Sequence, residues 1–224
     1  MFRLFRRNKA LKDEQVDAPE EKQNGAVQEE ATSNADELYE RSKECLTRND
    51  PKAEKWLKLA AQRGHAEAQA ELGRMYEGTD PSEAAKWYRL AADQGHADAQ
   101  CKLAFMYNSG KGVQQNFREA AKLYGQAAQR GYAEAQYLTG LLYHHGIGLP
   151  RSSSEAVKWH KLAAQQGHAE AQFELACMYD KGEGVPYDSK EAMKWYGLAA
   201  QQGHAEAQSK IARVYDAAFA SFGM

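Results

Sequence analysis

From about Ala35 onward, small and apolar side chains return every third or fourth residue, in short runs that glycine interrupts. Between His96 and Gly131, the residues Ala99, Leu103 and Tyr107 are spaced by four, which places them on one face of a helix. Gly110-Lys111-Gly112 breaks that run, since glycine is the poorest common helix former after proline. A second helix is predicted from about Phe117 to Gln129. Gly131 ends it, because a glycine just past a helix can take the left-handed conformation that closes the last carbonyls.

The same grammar recurs along the chain. Gly-His-Ala-Glu-Ala-Gln stands at Gly64 to Gln69, Gly167 to Gln172 and Gly203 to Gln208, with near copies beginning at Gly95 and Gly131. Gly95, Gly131, Gly167 and Gly203 lie 36 residues apart, and Gly64 precedes Gly95 by 31. Self-similarity at such a period marks a repeat architecture. Second helices carry Ala84, Trp87, Tyr88 and Ala91, then Ala156, Trp159, His160 and Ala163, then Ala192, Trp195, Tyr196 and Ala199. Ala, Trp and Ala at i, i+3 and i+7 share a face. Trp87, Trp159 and Trp195 are therefore expected to fill the space between layers, with Trp56 in a degenerate first unit and Leu123 in the third. A helix pair this short cannot bury its apolar face alone, so neighbouring pairs must stack. The fold class expected is all-α: an α/α superhelical solenoid of about five 36-residue helix-turn-helix repeats over residues 35–224. The last unit supplies a single capping helix from His204 to about Ala220, onto which Phe219, Phe222 and Met224 could fold.

Residues 1–34 show no sustained apolar period. Arg3, Arg6, Arg7, Lys9 and Lys12 come first, and acidic residues follow. Such a stretch buries too little apolar surface to offset the entropy of ordering, and it is expected to be a disordered N-terminal tail. Phe2, Leu4 and Phe5 would give residues 1–12 at most a weak contact with a membrane. They are no secretory signal, since Asn8, Lys9 and Lys12 follow at once.

These residues resemble Sel-1-like repeats, relatives of tetratricopeptide repeats. The pattern is matched by Leu72-Gly73, Tyr76, Trp87-Tyr88, Ala91-Ala92 and Gly95, and again by Tyr179, Gly182, Gly184-Val185, Trp195-Tyr196 and Gly203. The resemblance implies a bacterial adaptor or scaffold whose first helices line a concave, protein-binding surface. Some members are cysteine-rich, with a disulfide tying each helix pair, and are linked to β-lactam binding. Here Cys45, Cys101 and Cys177 are far apart and odd in number, so that activity is not carried over.

Charge and chemistry narrow the picture further. The net charge of −2 gives no overall attraction to nucleic acid. Unpaired thiols and the absence of a signal fit a cytoplasmic protein, peripheral to the inner membrane at most. Gly110-Lys111-Gly112, Gly146-Ile147-Gly148 and Gly182-Glu183-Gly184 lack the Gly-Lys-Ser/Thr of a phosphate loop and read as inter-helix turns. His65, His96, His168 and His204 follow the terminating glycines, where Tyr132 takes the same place, so they read as junction residues rather than metal ligands. His144, His145 and His160 form no ligand set either. No catalytic residue, cofactor site or metal site is expected.

Two columns on the first helices vary between repeats: Ala70, Cys101, Tyr137, Phe173, Ser209, and four residues on, Arg74, Phe105, Leu141, Cys177, Arg213. Their centres, Cys101, Phe105, Tyr137, Leu141, Phe173 and Cys177, are the candidate partner-binding residues. Glu67, Asp98, Glu134, Glu170 and Glu206 run alongside as an acidic rail. An apolar patch with a polar rim suits a peptide or helix with apolar anchors and basic flanks. The alternative is that these side chains pack between adjacent first helices. An inhibitor or immunity-type protein occluding one toxin or enzyme would use the same surface.

Overall fold

A computed structural model describes residues 33–221, with side chains through residue 216. The expectations for the tail, for the membrane-touching segment 1–12 and for Phe219, Phe222 and Met224 lie outside the described residues. Among those described are eleven helices and no strand. In chain order they are α1 (Ala35–Thr47), α2 (Ala53–Gln62), α3 (Ala66–Tyr76), α4 (Pro81–Asp93), α5 (Ala97–Ser109), α6 (Phe117–Gln129), α7 (Ala133–His145), α8 (Ser153–Gln165), α9 (Ala169–Lys181), α10 (Ser189–Gln201) and α11 (Ala205–Ser221).

The helices fall into two compact units, divided after His65. In the first, α1 packs on α2. Asn34 starts α1 with a capping box, its side chain accepting from the Glu37 N–H at 2.9 Å while the Glu37 carboxylate accepts from the Asn34 N–H at 3.2 Å. In the second, helices α3 to α11 pack chiefly on their sequence neighbours within the unit, as in a solenoid. Its core runs along the stack in two clusters, one around Tyr88, Leu103 and Tyr124 and one around Leu175, Trp195 and Tyr196.

In the second unit, the second helix of each hairpin begins on a short polar side chain that accepts from the first-turn amides: Asp80 for α4, Asn116 for α6, Ser152 for α8 and Asp188 for α10. Each such cap contributes about 1 kcal/mol. The apolar arc of these helices is displaced from the expected one. Ala84, Ala85, Tyr88, Ala91 and Ala92 are the buried residues of α4, and Trp87 lies at the arc's edge, half-buried. Trp56 and Trp159 are half-buried as well, and only Trp195 is buried. The interlayer position belongs to the residue one place later: Tyr88, Tyr124, His160 and Tyr196. First helices make room for those rings with small residues. A Cβ on Gly73 would stand 2.6 Å from the Tyr88 ring, and one on Gly140 2.6 Å from the His160 ring.

The Gly-x-Gly turns use their two glycines differently. The first is the left-handed C-cap of α5, α7 or α9. The second sits against the opening residue of the preceding hairpin's second helix. A Cβ on Gly112 would collide with the Pro81 carbonyl, on Gly148 with that of Phe117 and on Gly184 with that of Ser153. The turn is therefore an inter-repeat contact as well as a connection.

Two glycine substitutions separate these roles. Gly148→Ala puts a Cβ into the Phe117 backbone at φ +70° and should destabilise by about 2–3 kcal/mol. Gly125→Ala, inside α6 with open space around it, should stabilise by about 1 kcal/mol. Urea titrations of both variants check the opposite signs.

Candidate binding site

Each repeat junction in the second unit is three residues long, a C-cap residue followed by glycine and then His or Tyr. At the end of α4, the Gly95 N–H donates to the Ala92 carbonyl at 2.8 Å and the His96 N–H to that of Ala91 at 3.1 Å. This 5→2 and 6→1 pair closes the helix with Gly95 in the left-handed region, at φ +83°. His96 is also the N-cap of α5, where its Nδ1 accepts from the Ala99 N–H at 3.2 Å. An accepting Nδ1 leaves the ring proton on Nε2, which donates to Glu67 of α3 at 2.8 Å. One side chain thus ends a helix, begins the next and reaches back to the previous first helix. His168 repeats this with Ala171 at 3.2 Å and Glu134 at 2.9 Å. His204 caps α11 through Ala207 at 3.3 Å. Glu67 and Glu134 of the expected acidic rail are accordingly engaged by histidine.

The glutamine of the same hexapeptide supplies a second tie. Gln100, Gln136 and Gln172 are buried, and each Nε2 donates to a carbonyl in the last turn of the preceding helix: Ala92, Ala128 and Ala164, at 3.1–3.2 Å. The Oε1 of such a glutamine accepts from a glutamine at the C-cap of its own hairpin: Gln69 from Gln94 at 2.7 Å, Gln136 from Gln166 at 2.7 Å, Gln172 from Gln202 at 2.8 Å. In the hairpin of α5 and α6 the C-cap is Arg130, and the buried Gln100 Oε1 has no partner.

The first of the variable columns divides between two uses. Tyr137 stacks on His168, with ring centroids 4.8 Å apart, and Phe173 stacks on His204 at 4.4 Å. In the first unit Tyr39 stacks on His65 at 4.2 Å. Cys101 takes the same place on α5 but offers no ring, and Tyr132 replaces histidine at that junction. Tyr132 makes no side-chain cap for α7; its hydroxyl donates to Asp98 at 3.4 Å. At this junction lies a pocket of about 570 Å³. Buried Cys101, Met106 and Tyr124 form its inner wall, half-buried Leu138 adds to it, and Phe105 and Tyr132 stand exposed at the mouth. Glu77, Asp98 and Glu134 also line it, with Lys102 and Lys111. Burial, then the charges of Asp98 and Glu134, push the Cys101 thiol up to about 12, so it stays a neutral wall group.

The Sel1 repeat model matches residues 35–65, 66–96, 97–132, 133–168 and 169–204. The chain belongs to the Sel1 repeat family. It is similar to a Sel1 repeat protein from Oxalobacter formigenes, whose crystal structure it matches at 39% identity over 69% of this chain and 64% of that one, with a TM-score of 0.64. It is also similar to a protective antigen present in uropathogenic Escherichia coli strains, at 28% identity over 73% of this chain and 44% of that one, with a TM-score of 0.48. The chain thus spans less than two thirds of the length of either. No curated protein matches it. Sel1 repeat proteins generally mediate protein–protein interaction. Among the described residues, no helix is long and apolar enough to cross a membrane.

Within this Sel1 stack the six candidate residues separate. Cys101 and Phe105 meet at the pocket; Phe105, 56% exposed, is the most open of the six. Tyr137 and Phe173 are half-buried in their histidine stacks. Leu141 is half-buried, and Cys177 accepts from the Tyr196 hydroxyl at 3.3 Å. Column comparison missed Met106, Tyr124, Tyr132 and Leu138. Tyr132 breaks the histidine series, and Cys101 in the same repeat lacks the ring that Tyr137 and Phe173 carry; those two features together were the available signal.

His160 occupies the tyrosine position of the Sel1 repeat, is 1% exposed, and has an Nδ1 without a hydrogen-bond partner. Burial pushes its imidazole down from 6.5 to about 4, and the nearby His144, His168 and His145 add to the shift. Between those values the unfolded chain binds a proton that the folded one refuses. Stability therefore falls as pH drops from 6.5 towards 4 and levels below it. Between pH 7 and 4.5 the loss from this residue is about 2 kcal/mol. His160→Tyr, which mimics Tyr88 against Gly73, should remove that part of the dependence; urea midpoints of both proteins at the two pH values read the difference. Arg130→Gln should restore a donor to Gln100 Oε1 and stabilise by about 1 kcal/mol in the same titration at pH 7.

Proposed function

We propose that this chain is a non-catalytic scaffold that binds a partner polypeptide along its first helices, centred on α5 and α7. The observation that carries the reading is the conjunction of exposed Phe105 with a pocket whose inner wall is buried and apolar. Specific binding concentrates on an aromatic or aliphatic anchor seated in a desolvated pocket, with polar groups around it. Elsewhere in the stack the ring positions are used internally, by Tyr137 with His168 and Phe173 with His204, so the surface offered to a partner narrows to the third and fourth repeats. The interaction role general to the Sel1 family supports the same reading.

Photo-crosslinking tests it. A benzophenone side chain at Phe105 should give polypeptide adducts in the native cell, and one at Leu90, also exposed but on second helix α4, should not. Adducts from position 90 alone, or from neither position, would overturn the proposal.

A further inference from the structure

Beyond a general protein-binding face, the third and fourth repeats differ from their neighbours in a way that specifies what fits. At two other junctions of this unit a first-helix ring lies flat on the imidazole that starts the next first helix, with interplanar angles of 27° for Tyr137 on His168 and 19° for Phe173 on His204. The corresponding pair here is Cys101 and Tyr132. A ring stands at the N-cap position, the ring that would cover it is missing, and the space is the pocket of about 570 Å³. Its volume lies within the range of small-molecule and side-chain sites. Met106, Tyr124 and Leu138 supply apolar wall on the inner side.

The charges indicate the neighbour of that missing ring. Three carboxylates, Glu77, Asp98 and Glu134, line the pocket against two lysines. Lys102 is already 3.8 Å from Glu77. Among the described residues, Asp98 receives the long bond from Tyr132, and one oxygen of Glu134 is taken by His168. The site is negative on the Asp98 and Glu134 side; burial first, and then nearby charges that include Glu134, hold the protons on Cys101, Tyr132 and Tyr124, with Asp98 adding to the effect on Cys101 and Tyr132.

We propose that the pocket between α5 and α7 receives a single aromatic side chain of a partner polypeptide, stacked on Tyr132 as the chain's own rings stack on His168 and His204, with an adjacent Lys or Arg of the partner held by Asp98 and Glu134. The inference rests on the scaffold reading above and names the partner's chemistry. A flat ring here recovers the stacking that the Cys101 position forgoes, and a cation beside it meets uncompensated negative charge.

The test uses the full chain, ¹⁵N-labelled, with three probe peptides: acetyl-Gly-Trp-Arg-Gly-amide, its Trp-Glu counterpart and its Ala-Arg counterpart. The Trp-Arg peptide should shift the backbone amides of Cys101, Tyr124, Tyr132 and Leu138. The Trp-Glu peptide should bind about fivefold more weakly, as expected for a solvent-exposed ion pair, and the Ala-Arg peptide should leave those amides unmoved. Cys101→Phe places a covalent ring where Phe173 has one, and should abolish the shifts while raising the urea midpoint. Asp98→Asn, a surface change, should keep the ring's binding and reduce the preference for Arg over Glu. Pocket amides that do not respond to the Trp-Arg peptide, or that respond equally in Cys101→Phe, would overturn the inference. If Phe105 crosslinks its partner with unchanged yield in Cys101→Phe, the pocket is not the anchor and the scaffold reading stands without it. Loss of crosslinking at Phe105 in the unaltered chain removes the scaffold reading itself.

Discussion

A stack of hairpins has no distant contacts to rely on, so its cooperativity passes through each junction in turn. Here the junction reduces to one imidazole whose two nitrogens have opposite duties. Nδ1 must accept, because it starts a helix; Nε2 must donate, because a glutamate of the previous repeat lies 2.8 Å away at His96 and 2.9 Å away at His168. Few other side chains carry an acceptor and a donor on opposite edges of one rigid plane. Around that ring the buried glutamine and the left-handed glycine complete a fixed arrangement, and helix lengths, turns and ring stacks are all set relative to it.

The functional interest lies where this arrangement is broken. Tyr132 can neither cap α7 nor accept from its amide as an imidazole does, and Arg130 leaves the Gln100 carbonyl oxygen without its donor. Both departures fall at the end of α6, and Cys101 sits on the helix beside them. Three ties normally spent on cohesion are thereby missing at one place. Solenoids satisfy most of their polar groups between neighbours. A junction that does not do so leaves surface available for something outside the chain.

Much of this architecture was legible beforehand. The bounds of α6, the terminating role of Gly131 and the junction role of the histidines follow from local rules: periodicity, glycine conformation and capping. Trp195 is buried as expected, but Trp56, Trp87 and Trp159 are only half-buried, because an i, i+3, i+7 reading centres the apolar arc on residue 87. The buried set 84, 85, 88, 91 and 92 centres it on Tyr88. Part of the acidic rail has a second use that could not be read locally. Glu67 and His96 are 29 residues apart, and no local rule pairs them. The pocket was least legible of all, since it is created by side chains that are absent; only aligning the repeats in space shows that Cys101 and Tyr132 belong to one interrupted pair.

The Gly-His junction has a bearing on how such a chain can change its length. Gly95 and His96 are each committed to a backbone bond of the ending helix, and His96 to the opening of the next, so there is no slack residue between hairpins. An inserted residue there would rotate every following hairpin out of phase. The turn inside a hairpin is permissive by comparison: it shrinks to Glu77-Gly78-Thr79 before the Asp80 cap, and α4 still packs on α3. Because the junctions of the second unit share the same pair of backbone bonds, a block cut at equivalent points in two repeats can be spliced out or duplicated with those bonds intact. Gain or loss of whole hairpins is then a smaller perturbation to this protein than the gain of a single amino acid at the wrong seam.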